Sequence, residues 1–332
     1  MTLVYVELSG EAPALAAAEA RAAAEALGGR GEASPIESLV ALELPGPERP
    51  AELAARLALA RRCLVRVAPD ETLPAALAAE GRSGASAAFR RLGRSPGSSD
   101  ASVLEAGRRY RDAGGRIDLD GPERRYWLAR GRDGAEVLLR EVAAVDRRAS
   151  TARRMPLLPF QRPVSLPPRL ARAAANLARL RPGDRVVDPF VGTGALLAEA
   201  GLLGARTYGL DIDPTMLRGA LRNLSHLGVE AAALLEGDAA VVDFEDPSLR
   251  FDALLTDPPY GRSSFSGGGR PDEVVERVVP RWAERVRPGG RVVVVQPEGA
   301  PPLGPPWRVV VAAAVRVHRS LTREFRAYER SG

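Results

Sequence analysis

From Arg169 to the end of the chain, short apolar runs alternate with helical stretches, and few architectures accept that rhythm. DRVVD, ARTYGLDI, AAALLEGD, FDALLTD and RVVVVQP have strand length and are rich in β-branched residues. Between them, PRLARAAANLARL, ALLAEAGLL, Met216–Leu227 and Glu273–Arg287 read as helices. Two longer apolar runs, WRVVVAAAVRVHRS and TREFRAY, close the chain as an expected antiparallel pair. Alternation of this kind predicts an α/β class, doubly wound Rossmann-like sheet, mostly parallel with an antiparallel last strand. Ligands of such sheets lie beyond the carboxyl ends of the strands.

The first 146 residues follow a different pattern, that of a smaller α+β domain. VYVELSG, SLVALELP, CLVRVAP, ASAAFRRLG and GRIDLD read as strands, and Glu11–Leu27, Ala51–Arg61, Leu73–Ala79 and Ala101–Asp112 as helices. The Asp133-Gly134 pair inside YWLARGRDGAEVLLREV marks a hairpin. Residues 147–168 are rich in proline and arginine, have no apolar period, and are expected to be a linker ahead of a catalytic domain over 169–332.

Composition narrows the class. With 332 residues, 45% hydrophobic and 27% charged, the chain can hold two cores. Cys63 is the single cysteine, so no intrachain disulfide forms. The alanine-rich stretch after Gly10 is interrupted by Glu19, Arg21 and Glu25, and no other apolar run is long enough to span a bilayer. A cytoplasmic protein without membrane partners is expected. All positive charge is arginine. Between Arg82 and Pro182 there are 22 arginines against 10 acids, a balance of +12, which leaves −7 for the remainder of a chain whose net charge is +5. A basic region beside an acidic one suggests a phosphate-rich partner for the first.

Three strand ends bear the marks of a ligand site. VVDPFVGTGALL places Asp188, Gly192 and Gly194 between a strand and a helix, where glycines admit close backbone approach. Leu197 occupies the third glycine position of a dinucleotide fingerprint, which disfavours a pyrophosphate site. Asp211 ends the next strand, placed to accept from ribose hydroxyls, while Asp213 precedes Pro214 as an N-cap. Asp238 ends the third, as an acceptor for an adenine amine or as a turn residue. Together they favour a nucleoside cofactor without phosphate over a dinucleotide.

The fourth strand end, TDPPY, is the most specific. Two prolines cannot continue a central strand, but they hold a short segment rigid with its carbonyls turned outward. An exocyclic amine on a base is a poor nucleophile, because its lone pair is delocalised into the ring. Asp257 and the Pro258 carbonyl can each accept one of its N–H bonds and draw the nitrogen towards tetrahedral geometry. Pro259 stiffens the segment, and Tyr260 offers a face on which a flipped-out base stacks.

DPFVGTG, GLDID, GDA and DPPYG in this order resemble the class I S-adenosylmethionine-dependent methyltransferases that act on exocyclic amines. PFQRPVSLPPRLARAAANLARLRPGDRVVDPFVGTG together with VHRSLTREFRAY resembles the archaeal-type tRNA guanosine N2-methyltransferases of position 10, which carry an N-terminal THUMP domain for RNA. The likeness is sharp over 156–332 and only architectural before it. It implies a catalytic tetrad at Asp257, Pro258, Pro259 and Tyr260. It implies an S-adenosylmethionine site at Asp188, Pro189, Gly192, Thr193, Gly194, Asp211, Ile212, Asp238 and Ala239, with Ser165 reaching the methionine end. Gln161 and Arg162 depart from the aromatic or histidine expected ahead of SLPP.

Arg90, Arg91, Arg94, Arg153 and Arg154 are the expected RNA contacts, tRNA the expected partner, and a monomer the expected state. His226 and His318 have no ligand-like neighbours, so no metal is expected, and Cys63 reads as core. SSFSGGGRPDE after the tetrad reads as a flexible loop, with two readings open: one that closes over a bound nucleotide, or a disordered loop without that role. The alternatives are another tRNA position, ribosomal RNA or DNA as substrate, or an RNA-binding protein that has lost catalysis. A nicotinamide dehydrogenase explains neither Leu197 nor the tetrad.

Overall fold

A computed structural model of the chain describes residues 1–36, 38–93, 100–163, 165–259, 271–318 and 321–331. Chain contacts divide it into two units. The first is Met1–Leu8, Leu27–Ala55 and Ala60–Val145; the second is Ser9–Ala26, Arg56–Leu59 and Asp146–Gly332.

In chain order the first 145 residues form β1 (Thr2–Leu8), α1 (Pro13–Ala26), β2 (Arg30–Glu32), β3 (Leu39–Leu44), α2 (Arg49–Arg56), β4 (Ala60–Arg66) and α3 (Leu73–Gly81). They continue with β5 (Ser86–Arg91), α4 (Ala101–Asp112), β6 (Arg116–Ile117), β7 (Arg124–Arg130) and β8 (Glu136–Ala144). The sheet of the first unit runs β2-β3-β1-β4-β8-β7-β5-β6. Its pairs are antiparallel except β5 with β6 and with β7. One cluster centres on Tyr5, Leu64 and Trp127, and another on Phe89, Tyr110 and Tyr126, with the Phe89 and Tyr126 rings stacked at 5.1 Å. Gly134 takes the left-handed conformation in the β7–β8 hairpin, while Asp133 accepts the Ala135 N–H, so the Asp-Gly turn forms as expected. GRIDLD yields only the two-residue β6. Cys63 is fully buried, and burial pushes its thiol up to about 12, the state of an inert core residue.

The second unit contains α1 and then α5 (Arg147–Ala152), α6 (Pro168–Leu177), β9 (Arg185–Asp188), α7 (Ala195–Gly201), β10 (Arg206–Asp211), α8 (Pro214–His226) and β11 (Ala231–Glu236). After these come β12 (Phe251–Thr256), α9 (Pro271–Ala283), β13 (Val286–Pro297), β14 (Trp307–His318) and β15 (Leu321–Arg330). The strand order is β11-β10-β9-β12-β13-β15-β14. The first five strands are parallel, β15 is antiparallel to β13, and β14 is antiparallel to β15. This is the doubly wound sheet with an antiparallel last strand that the alternation predicts; the structure adds that this strand, β15, lies between β13 and β14. Val187, Leu254, Val292 and Val294 form one face of its core with Phe251, Trp282 and Tyr328.

Three expectations move. The helix read over 51–61 ends at Arg56, because Glu19 of α1 accepts the N–H groups of Ala58 and Leu59, both at 2.9 Å. The helix read to Arg287 ends at Ala283, because Val286 already pairs with Phe251 as β13 begins. Residues 147–168 carry α5 and a 3-10 turn at Met155–Leu157, and they belong to the second unit. So does α1, whose Glu19 is fully buried and also accepts from Asn176 of α6 at 2.9 Å. Among the described residues no helix is long and apolar enough to cross a membrane.

Candidate active site

The acids expected at strand ends lie at the carboxyl edge of adjacent parallel strands. Asp188 closes β9 and is 1% exposed. One of its oxygens accepts the Thr256 hydroxyl at 2.6 Å and the Phe190 N–H at 2.9 Å. Burial pushes its pKa up to about 7; the two hydrogen bonds oppose that shift, and the nearby charges of Asp257 and Asp211 add to it. Pro189 is buried beside it.

The loop that follows is held by its own backbone. Gly192 and Gly194 have φ of 55° and 82°, and a Cβ on Gly194 would lie 3.2 Å from that of Ala220 in α8. Both the left-handed turn and the close helix approach therefore require glycine at 194. Asp211, at the end of β10, accepts the Gly192 N–H at 2.7 Å on one oxygen and the Asp213 N–H at 2.9 Å on the other. Each oxygen keeps a lone pair for a further donor. Burial raises the pKa of Asp211. Asp213 caps α8 by accepting from Thr215 at 2.7 Å, and Ile212 between the two acids is 47% exposed.

Asp238 follows β11. One oxygen accepts the Ala240 N–H at 2.8 Å and the other faces Arg277 at 3.5 Å, so it is also the turn residue its position suggests. The Ala239 carbonyl is fixed by Arg281 at 2.6 Å and by the Trp282 indole at 2.9 Å, both from α9.

Ser165 meets this loop: its hydroxyl lies 2.6 Å from that of Thr193. The segment before it is anchored by Asn223 of α8, which sequence reasoning missed. The Asn223 amide donates to the carbonyls of Phe160 at 2.9 Å and Thr193 at 3.0 Å, and its oxygen accepts the Phe160 N–H at 2.9 Å. Gly219, one helical turn earlier, leaves the space that the Phe160 ring fills; a Cβ there would come within 2.1 Å of it. Arg162 covers that ring at 4.8 Å, and Gln161 donates to the Leu158 carbonyl at 3.1 Å. A buried asparagine on an apolar helix face was the available signal for Asn223.

At the end of β12, Thr256 is buried and Asp257 follows with Pro258 buried and Pro259 half-buried. Arg323 of β15 donates to Asp257 at 3.0 Å, a second contact that spacing did not disclose. Tyr260 lies outside the described residues, as do Arg94 and residues 263–270 of the loop after the tetrad.

The arginines expected on RNA divide. Arg90 and Arg154 are exposed. Arg91 is bound to Asp100 and Glu136, and Arg153 to Glu199 at 2.7 Å, with side chains only 19% and 15% exposed. Arg172 also reaches Glu199, at 2.6 Å, so Arg153 completes a buried ion cluster. Arg91 and Arg153 are thus paired with carboxylates within their own units.

A parallel sheet ordered in this way, with acids at successive strand ends and a glycine loop under the first helix, defines a Rossmann-like methyltransferase sheet. Residues 157–301 match the model of the UPF0020 family, an RMKL-like methyltransferase domain. The chain is 33% identical over 197 residues to a tRNA (guanine(10)-N2)-dimethyltransferase of Methanothermobacter thermautotrophicus, covering 58% of each chain. It is 39% identical over 173 residues to the protein of that name from Pyrococcus abyssi, covering 50% of each. The matched stretch thus spans little more than half the length of these relatives. The crystal structure of TrmN from Thermus thermophilus has a similar fold over 99% of both chains, with a TM-score of 0.51 at 22% identity.

Proposed function

We propose that the chain transfers a methyl group from S-adenosylmethionine to the exocyclic N2 amine of a guanosine in tRNA, at position 10. The observation that carries this reading is Asp257, held with Pro258 and Pro259 at the end of β12, beside the acids of β9 and β10. The names of the archaeal relatives support the choice of tRNA, guanine and position.

The residues fit the methyl donor. Asp211 keeps two lone pairs for ribose hydroxyls, exposed Ile212 offers an apolar face to the adenine, and Asp238 and Ala239 bound the adenine edge. Asp188, Pro189, Gly192, Thr193, Gly194 and Ser165 line the methionine end. When bound, the donor supplies a sulfonium methyl, an electrophile that needs only a well-oriented nitrogen lone pair. Asp257 and the Pro258 carbonyl hold the amine through its N–H bonds, which frees that lone pair and aims it. Pro259 keeps the two acceptors in fixed relation, and Tyr260 stacks on the base. In the first unit and just after α5, exposed arginines such as Arg90 and Arg154 contact tRNA phosphates.

Purified protein is incubated with tRNA, ribosomal RNA or duplex DNA and labelled S-adenosylmethionine, and the nucleosides are separated by mass spectrometry. N2-methylguanosine or N2,N2-dimethylguanosine from tRNA is expected, and the assay tells one transfer from two. Label in DNA alone overturns the reading. Asp257→Ala is expected to abolish transfer with S-adenosylmethionine binding nearly unchanged; normal turnover in that variant defeats the mechanism.

A further inference from the structure

We infer that Arg323 is a positioning residue for Asp257, holding its carboxylate ionised and in one orientation for the substrate amine; the inference rests on the proposed methyl transfer. Asp257 and Arg323 are 66 positions apart, yet the guanidinium donates to the Asp257 carboxylate at 3.0 Å. The Arg323 side chain is 7% exposed and that of Asp257 16%. Burying a guanidinium is costly, and a strand end alone does not require one.

The position of Arg323 is fixed by backbone on both sides. It faces Pro297 of β13 and Val315 of β14, and the carbonyl of the preceding Thr322 accepts the Glu298 N–H at 3.1 Å. The antiparallel final hairpin therefore delivers one cation across the end of β13 to the end of β12. Among the described residues Asp188 of β9 also acts on Asp257, and its charge disfavours ionisation of a neighbouring acid. β13 contributes Pro297 there, with Glu298 exposed beyond it. Arg323 offsets the repulsion from Asp188.

The chemistry requires that offset. In the transfer the nitrogen lone pair forms the N–CH3 bond and the S–CH3 pair stays on sulfur as a thioether. The proton displaced from nitrogen passes to Asp257 and then to water. A protonated Asp257 would have lost both its charge and an acceptor. An ionised one of low basicity suffices, because a ring-conjugated nitrogen is strongly acidic once methylated.

The test compares wild type with Arg323→Met, which keeps length without charge, and Arg323→Lys, which keeps charge. Arg323→Met is expected to lower kcat near neutral pH by about tenfold or more, with KM for S-adenosylmethionine little changed. The acidic limb of its kcat profile moves to higher pH, and Arg323→Lys restores most of both. Asp257→Asn with Arg323→Met is expected to be no slower than Asp257→Asn alone. In the free protein, the 13C carboxyl signal of Asp257 is expected to titrate at higher pH in Arg323→Met. That signal tests the inference even if no methyl transfer is found, in which case only the functional reading falls. If Arg323→Met does not fold, Arg323→Gln, which removes the charge but keeps a polar amide, takes its place in every arm. An unchanged Asp257 titration, a pH profile merely scaled down, or additive losses in the double variant overturn the inference.

Discussion

The hydroxyl of Thr256 donates to Asp188 at 2.6 Å, so the residue preceding Asp257 also steadies the acid that opens the glycine loop. One side chain thereby ties the end of β12 to the end of β9. Thr256→Val keeps the shape and removes the donor. A hydrogen bond to a charged group contributes about 1.5–3 kcal/mol. The penalty should be larger at pH 8, where Asp188 is ionised, than at pH 5.5. Urea denaturation at the two pH values measures it, and an equal loss at both would show that the bond does not favour the carboxylate.

Asp188 itself predicts a pH dependence. Its pKa in the folded chain is about 7, above the ordinary 3.8, because burial disfavours the charged form. The folded state therefore binds more protons than the unfolded one between those values, and stability falls as pH rises through that window. Asp188→Asn should remove this slope, a difference on the order of a few kcal/mol at pH 8. Affinity for the cationic S-adenosylmethionine should rise with pH through about 7 in wild type and be weak and flat in the variant. Equilibrium dialysis across that range checks the sign.

These dependences show which parts of the site were legible in residues alone. Asp188, Asp211 and Asp238 end apolar runs, and position along a strand is a local property, so their placement could be read directly. Asn223, Arg323 and Thr256 act through partners 63, 66 and 68 positions away, and no period in the chain reports such pairings. Glu19 is the sharpest case. As a charge interrupting an alanine run it reads as solvent-facing, yet it is fully buried against Ala58, Leu59 and Asn176. Nothing within 11–27 says which sheet α1 will cover. The helix propensity was plain; its destination depended on acceptors and donors far along the chain.

Glu19 also gives a test of the second unit. Burial lifts its pKa from 4.5 to about 6, against the pull of the Ala58 and Leu59 N–H groups. Its contribution to stability is whole below pH 4.5 and is lost as pH rises through 6. Glu19→Gln removes that titration and turns an amide donor towards a backbone N–H. The variant should be less stable by about 1–3 kcal/mol, and the deficit should narrow between pH 4.5 and 7 by up to about 2 kcal/mol. Chemical denaturation at both pH values decides it. The same pH slope in both proteins would remove Glu19 as the source.

The arginines separate binding from stability. If exposed Arg90 and Arg154 contact tRNA phosphates, each replacement by Ala should weaken binding and reduce the salt slope, by about 0.7–0.9 of a log unit per log unit of salt for each phosphate lost. Arg153→Ala should behave differently. Glu199 is 2% exposed and, among the described residues, would keep Arg172 as its one cation, so a stability loss of about 1–3 kcal/mol is expected with the salt slope unchanged. Arg91→Ala likewise releases Asp100, the cap of α4, which accepts from Ser102 and Val103. Fluorescence anisotropy of labelled tRNA over a salt series, with thermal melts of the same variants, places each residue in one class. A salt slope that flattens for Arg153→Ala but not for Arg90→Ala or Arg154→Ala would mean that the buried cluster opens to meet RNA and that the exposed pair does not.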